Sequence, residues 1–159
     1  MLMRTRQRSQ HEHDLASHFD ILALSRADRL KHYGLHFAKY AGRFARGDTE
    51  AKSRTETTVD AFLVVLSAAN ALNQTLPDVH SAGGTAPSHW AFTDAMGRFA
   101  DACEKIDHLE EFRTIALEAN AALAEWLLNS ASAQQLDLDA LVAERRRQLG
   151  LRLAYAPEI

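Results

Sequence analysis

Residues Thr57–Asn73 read TTVDAFLVVLSAANALN, an almost unbroken apolar run with one carboxylate, Asp60, near its start and one amide, Asn70, near its end. A run of this length and composition reads as a buried helix. Buried charge is expensive and needs a partner or a metal. Asp60 is therefore either a cap or part of a site.

Outward from this helix the chain reads as all-α. Period-two runs of β-branched residues are absent, and Pro77, Pro87 and Pro157 lie where helical periodicity has stopped. Helices are expected over 13–24, 26–46, 55–75, 89–104, 106–130 and 138–149. Ser25 with Asp28 resembles a capping box, Gly47 suits a position just past a helix end, and Ser88 and Asp137 can cap the helices that follow them. Gly150 can close the last helix. The segment Leu76–Pro87, with Gly83 and Gly84, reads as the one long irregular loop and divides the chain into halves.

The halves resemble each other. Phe37-Ala-Lys-Tyr-Ala-Gly42-Arg43-Phe44-Ala45 aligns with Phe92-Thr-Asp-Ala-Met-Gly97-Arg98-Phe99-Ala100, an offset of 55 residues, and each block precedes a second long helix. One hairpin cannot bury its apolar face alone, so two predict a four-helix bundle with short N-terminal and C-terminal helices added. The repeat halves span about 26–76 and 89–131 within a single helical domain at 13–152. Residues 1–12 are expected to be a basic, disordered arm, in which Arg4, Arg6 and Arg8 could meet phosphate, and 153–159 a tail. The mid-helix glycines Gly42 and Gly97 cost helix propensity and are expected where helices approach closely.

Bulk composition bounds the function. The 159 residues are 47% hydrophobic and 25% charged, with a net charge of −3 and eight histidines. That is ordinary for a soluble globular domain, and nothing in the global charge points to nucleic acid. Cys103 is the sole cysteine, which excludes an intramolecular disulfide and a cysteine metal cluster and fits a reducing, cytoplasmic setting. The first residues lack the apolar core of a signal peptide, and no run is long enough to span a membrane.

Two charged stripes stand out. On the second helix Leu30, Tyr33, Phe37, Ala41 and Phe44 form an apolar face, and His32, His36, Lys39, Arg43 and Arg46 lie opposite. If helicity continues through Lys105, then Glu104, Asp107, Glu111, Glu118 and Glu125 line up, with Phe112, Ala116, Ala119, Leu123 and Trp126 facing the core. Both stripes can be plain solvated faces, or they can face each other across a dimer. A basic stripe can instead take phosphate, with Arg43 as a bidentate fork. Acids one turn apart can hold Mg²⁺ together with substrate phosphates. His32 and His36 have the spacing of a helical metal pair, for which His11, His13 or His18 would be the third ligand. Trp90 and Trp126 are expected in the core.

Thr57–Asn73 resembles the third helix of the MazG-like, all-α nucleotide pyrophosphohydrolases, in which a Glu-x-x-Asp pair opens an apolar run. Asp60 matches the Asp, and Ala69-Asn70-Ala71-Leu72 matches the later segment. Leu136-Asp137-Leu138-Asp139-Ala140-Leu141-Val142, followed by Arg145 and Arg152, resembles the family's closing helix, with Leu149 in the place of its Asn. Leu35–Arg46 then corresponds to the family's metal helix, with Gly42 at its glycine. The departures are in the carboxylates. Tyr40 and Arg43 stand where the family has Glu-x-x-Glu, and Thr57, beside Glu56, stands where it has the Glu of Glu-x-x-Asp.

The resemblance implies a helical homodimer acting on nucleoside triphosphates with Mg²⁺, releasing the monophosphate and pyrophosphate. Mapped here, Lys39 and Arg43 would hold phosphates beside Asp60, Asn70 would hold the base or sugar, and Asp107, Glu111 and Glu118 would hold a metal if one is used. The replaced carboxylates leave a second reading, a non-catalytic module that binds nucleotide or a protein partner without any cofactor. A histidine-metal bundle is the third.

Overall fold

The computed structural model describes residues 1–78 and 85–151. The centre of the glycine-bearing loop, Arg152 and the tail 153–159 with Pro157 lie outside the described residues. Among those described, the chain is all helical: α1 (Met3–Ser17), α2 (Phe19–Leu22), α3 (Arg26–Arg46), a 3-10 turn at Gly47–Thr49, α4 (Arg54–Leu72), α5 (His89–Asp107), α6 (Arg113–Ala133) and α7 (Leu138–Gly150). No described helix is long and apolar enough to cross a membrane.

The opening stretch is the hub. A helix that is apolar all round must be covered all round, and α4 packs against α1, α3, α6 and α7. Val59, Ala61, Phe62, Val65, Leu66, Ala68, Ala69 and Leu72 are all buried along it. Ser53 starts it with a reciprocal cap: its hydroxyl accepts from the Glu56 amide while Glu56 accepts from the Ser53 amide. The four long helices close a circuit, α3 on α4, α4 on α6, α6 on α5 and α5 on α3. The expected face of α3 is the buried one, with Leu30, Tyr33, Phe37 and Phe44 inside. Phe37 meets Phe99 edge-on at 5.0 Å, and Phe44 meets Phe92 at 5.1 Å.

Four expectations are corrected. The basic arm is not disordered: it is most of α1. Its buried residues, Met3, Gln7, Gln10, Asp14 and Ser17, recur at helical spacing, but most are polar, so a hydrophobicity pattern cannot reveal them. They are held by specific bonds: Gln7 Nε2 donates to the Gln74 carbonyl at 2.6 Å, and Gln7 Oε1 accepts from the Leu76 amide at 3.0 Å. Arg6 pairs with Asp139 of α7 at 2.8 Å, a structural contact.

Helicity continues through Lys105 but not along the whole acidic stripe. It stops at Asp107 and restarts at Arg113. Leu109 sits at φ 57°, the Glu110 amide donates to the Lys105 carbonyl at 3.0 Å, and the Leu109 amide donates to the Ile106 carbonyl at 3.3 Å. This is a Schellman stop with leucine where glycine is usual. The five acids of the expected stripe are thereby divided between α5, the connector and α6.

Neither Gly42 nor Gly97 marks a close helix approach. A Cβ on Gly42 would meet only the Arg46 side chain, and one on Gly97 would meet nothing. The glycine at the α3–α5 crossing is Gly34, whose Cβ would lie 3.4 Å from Cys103 Sγ. Trp126 is buried and donates its indole N–H to the Ser88 carbonyl at 2.8 Å, whereas Trp90 is 81% exposed. The caps at Ser25, Ser88 and Asp137 form as expected.

Candidate functional site

Asp60 lies near the N-terminal end of α4 and is only 8% exposed. Three parts of the chain converge on its carboxylate. Arg145 of α7 donates from Nε to Oδ1 at 2.6 Å and from its terminal nitrogen to Oδ2 at 3.4 Å. Lys52, from the segment before α4, donates to Oδ2 at 2.7 Å. Arg43 of α3 approaches the same oxygen at 4.0 Å. Lys39, one turn before Arg43, joins the same wall. Burial pushes the Asp60 carboxyl up, but the bonds and charges of Lys52 and Arg145 outweigh it, so the group stays ionised below its ordinary value.

This wall closes one end of a cavity of about 230 Å³ between α1, α2, α3, α4 and α7. Four of the five residues of the basic stripe of α3, His32, His36, Lys39 and Arg43, line this cavity, whereas Arg46 is exposed and pairs with Glu50 at 2.6 Å. His36 Nδ1 lies 3.2 Å from the Tyr40 hydroxyl and 3.0 Å from the Lys39 ammonium. Both neighbours can donate, so Nδ1 is the acceptor and the ring is neutral with its hydrogen on Nε2. Burial, then the Lys39 charge, pushes the His36 imidazole down to about 4. The same two causes lower His32. Burial and Arg43 lower Lys39. The Lys39 ammonium sits 4.8 Å from the Tyr40 ring centre, and the Arg43 guanidinium 5.9 Å from it. Ile21 and Leu22 of α2, with Leu63, Val64 and Leu149, supply the apolar part of the lining.

In comparisons with known proteins, no family model, no curated protein and no solved structure matches this chain. The chemistry of the cavity is therefore read from its own residues.

Of the residues singled out in the sequence, Lys39, Arg43 and Asp60 come together. Asn70 does not join them. Its amide donates to the Gln7 carbonyl at 3.0 Å and ties α4 to α1. Asp107 pairs with Lys31, Glu111 caps the first turn of α6 by accepting from the Thr114 amide at 3.0 Å, and Glu118 is exposed. No group of three His, Cys, Asp or Glu side chains placed to hold a metal occurs among the described residues, so neither the acidic trio nor His32 and His36 with a third histidine forms such a group. The donors that do converge also do not suit Mg²⁺, which takes oxygen ligands. Both oxygens of Asp60 are moreover already engaged by cations. Thr57, one turn before Asp60, is buried with no partner for its hydroxyl.

Sequence reasoning missed Lys52, which sits in a loop with no periodic signal. It also left Arg145 out of the site, although the closing-helix resemblance marked that position as basic. Gln10 was missed because it lies in the arm expected to be disordered, and Asp14 because a lone acid at the start of the helix expected over 13–24 carries no signal of burial.

Proposed function

We propose that this chain binds the phosphate of a nucleotide at the cationic wall formed by Lys39, Arg43, Lys52 and Arg145, and that it does so as a non-catalytic module. The observation that carries the reading is that three of these cations, Arg43, Lys52 and Arg145, share one buried carboxylate, and Lys39 lines the same cavity beside them. Cations in excess of their counter-charge, partly withdrawn from water, favour an entering anion. Arg43 and Arg145 offer planar donor forks suited to phosphate oxygens, and Lys39 and Lys52 add point charges.

The proposal keeps the MazG-like resemblance as ancestry and sets the metal chemistry aside. In a metal-dependent hydrolase, carboxylates hold Mg²⁺, and Mg²⁺ neutralises the phosphates. Here side-chain cations stand at the phosphate position directly, and the acidic trio is scattered. The proposed ancestry includes a bundle of two duplicated hairpins, α3–α4 and α5–α6. Its support is the crossed aromatic pairing. In the repeat alignment Phe37 corresponds to Phe92 and Phe44 to Phe99, while the contacts are Phe37 with Phe99 and Phe44 with Phe92. Such reciprocal exchange is what a two-fold axis between equivalent helices produces. A duplicated hairpin would reproduce within one chain an arrangement that hairpin dimers build from two.

Calorimetric titration with inorganic phosphate, adenosine and AMP, ADP and ATP tests the reading. Phosphate-bearing ligands are expected to bind, adenosine is not, and affinity should fall with added salt. Arg43→Glu should abolish the binding. Equal affinity for adenosine and AMP would overturn the phosphate site. Pyrophosphate release from ATP with Mg²⁺ would overturn the non-catalytic assignment.

A further inference from the structure

The cavity has a second, oppositely charged end. Asp14 of α1 lines it and is 5% exposed. Its carboxylate accepts from Gln10 Nε2 at 2.8 Å and from the Ser67 hydroxyl at 2.6 Å, and no Lys or Arg among the described residues forms an ion pair with it. The Arg146 guanidinium, whose charge also acts on Asp14, makes its hydrogen bond to Gln10 instead, with Gln10 Oε1 accepting from Arg146 Nε at 3.0 Å. A buried carboxylate with only neutral donors is costly. Burial accordingly pushes its carboxyl above the ordinary value, against the bonds from Ser67 and Gln10 and the weaker pull of the His18 and Arg146 charges. The fold tolerates at Asp14 what it neutralises heavily at Asp60, and both groups face the same cavity.

Their separation follows from α4. Ser67, which holds Asp14, lies two turns beyond Asp60, roughly 10 Å along the axis at about 1.5 Å per residue. Between the two ends stand the neutral His36, His32 and the apolar Leu63 and Val64. A ligand filling this space presents an anion at one end, a flat or apolar body in the middle, and hydrogen-bond donors at the other.

We infer that Asp14 selects ligands carrying an amino group at the end remote from the phosphate, so that the cavity takes nucleoside monophosphates with amino-bearing bases in preference to those with an oxo group at the same place. This rests on the phosphate reading of the cationic wall. The chemistry is direct. Each Asp14 oxygen has spare acceptor capacity beyond the bond it makes, and an amino group supplies the donor. An oxo group in that place would set acceptor against acceptor, leaving both unsatisfied away from water.

The test is calorimetric titration of the full chain with AMP against IMP, CMP against UMP, and inorganic phosphate alone. The amino-bearing member of each pair is expected to bind at least about tenfold tighter, the cost of one unsatisfied buried group. Asp14→Asn can turn its own amide toward an oxo group, so the preference should shrink to less than about threefold while inorganic phosphate binds unchanged. If AMP and IMP bind equally and inorganic phosphate displaces both, the cationic wall stands and the role of Asp14 is overturned. If neither nucleotides nor inorganic phosphate bind, both readings fall. The wild-type ratios decide the matter even if Asp14→Asn does not fold.

Discussion

Arg145 Nε on α7 lies 2.6 Å from Oδ1 of Asp60 on α4, joining positions 85 residues apart. The same carboxylate also carries Lys52 and faces Arg43. Asp60 thus works as an internal counter-ion for the cationic wall. Replacing it with Asn leaves those cations without a buried opposing charge. Asp60→Asn should therefore lower unfolding free energy by about 3 kcal/mol in low-salt, phosphate-free buffer. Added phosphate should return part of that loss by binding the folded state. Urea unfolding with and without phosphate measures both effects. A variant as stable as the parent would mean that the wall is solvated well enough to need no counter-ion.

Leu109 is 95% exposed and holds a left-handed backbone at φ 57°. Its side chain buries nothing, so the residue contributes strain without packing. Glycine adopts this conformation freely and is the usual residue at a Schellman stop. Leu109→Gly should raise stability by about 1 kcal/mol, less what glycine adds to the entropy of the unfolded chain. Thermal unfolding measures it; a lowered midpoint would show that the leucine makes a contact worth more than its strain.

Gln7 links α1 to the chain after α4 through the Gln74 carbonyl and the Leu76 amide. Gln7→Leu keeps most of the volume and strands both backbone groups away from water. The expected cost is about 2–3 kcal/mol. Hydrogen exchange should show the amides of α1 and Leu76 losing protection before those of α5 and α6. Uniform loss across all helices would instead mean that α1 does not open separately from the rest.

What could be read in the sequence tracks what is written in apolar periodicity. The Thr57–Asn73 run announces the buried hub, and the α3 stripe announces the face carrying Phe37 and Phe44. The docking of α1 is written in Gln7, Gln10 and Asp14, whose burial depends on partners from distant parts of the chain. The break at Leu109 is equally silent, because the residue that adopts the left-handed stop is not a glycine. The site was half visible. Lys39, Arg43 and Asp60 stand on periodic helices, whereas Lys52 reaches the wall from a loop and only the fold brings it there.

His36 gives the chain a dependence on pH. Its imidazole has a folded pKa of about 4, against 6.5 when free, because burial and Lys39 disfavour the charged form. The unfolded chain therefore binds the proton first as pH falls. Stability is whole above about 6.5 and is lost between about 6.5 and 4. His13, also pushed down to about 4 by burial and then by His18, acts in the same direction. Asp14 opposes them, since a raised carboxyl pKa adds stability as the group protonates. Asp60 does not enter this window: its pKa is depressed, so its contribution is present above 3.8 and disappears only as pH falls through its lower folded value. Between pH 7 and 5 the net loss is expected to be roughly 1–2 kcal/mol, discounted for the partial solvent contact of both rings. His36→Gln should remove about half of that slope. Urea unfolding at the two pH values and an NMR titration of the His36 ring measure the two quantities. A ring that titrates near 6.5, or a stability unchanged across the range, would mean that its charged form is solvated inside the cavity.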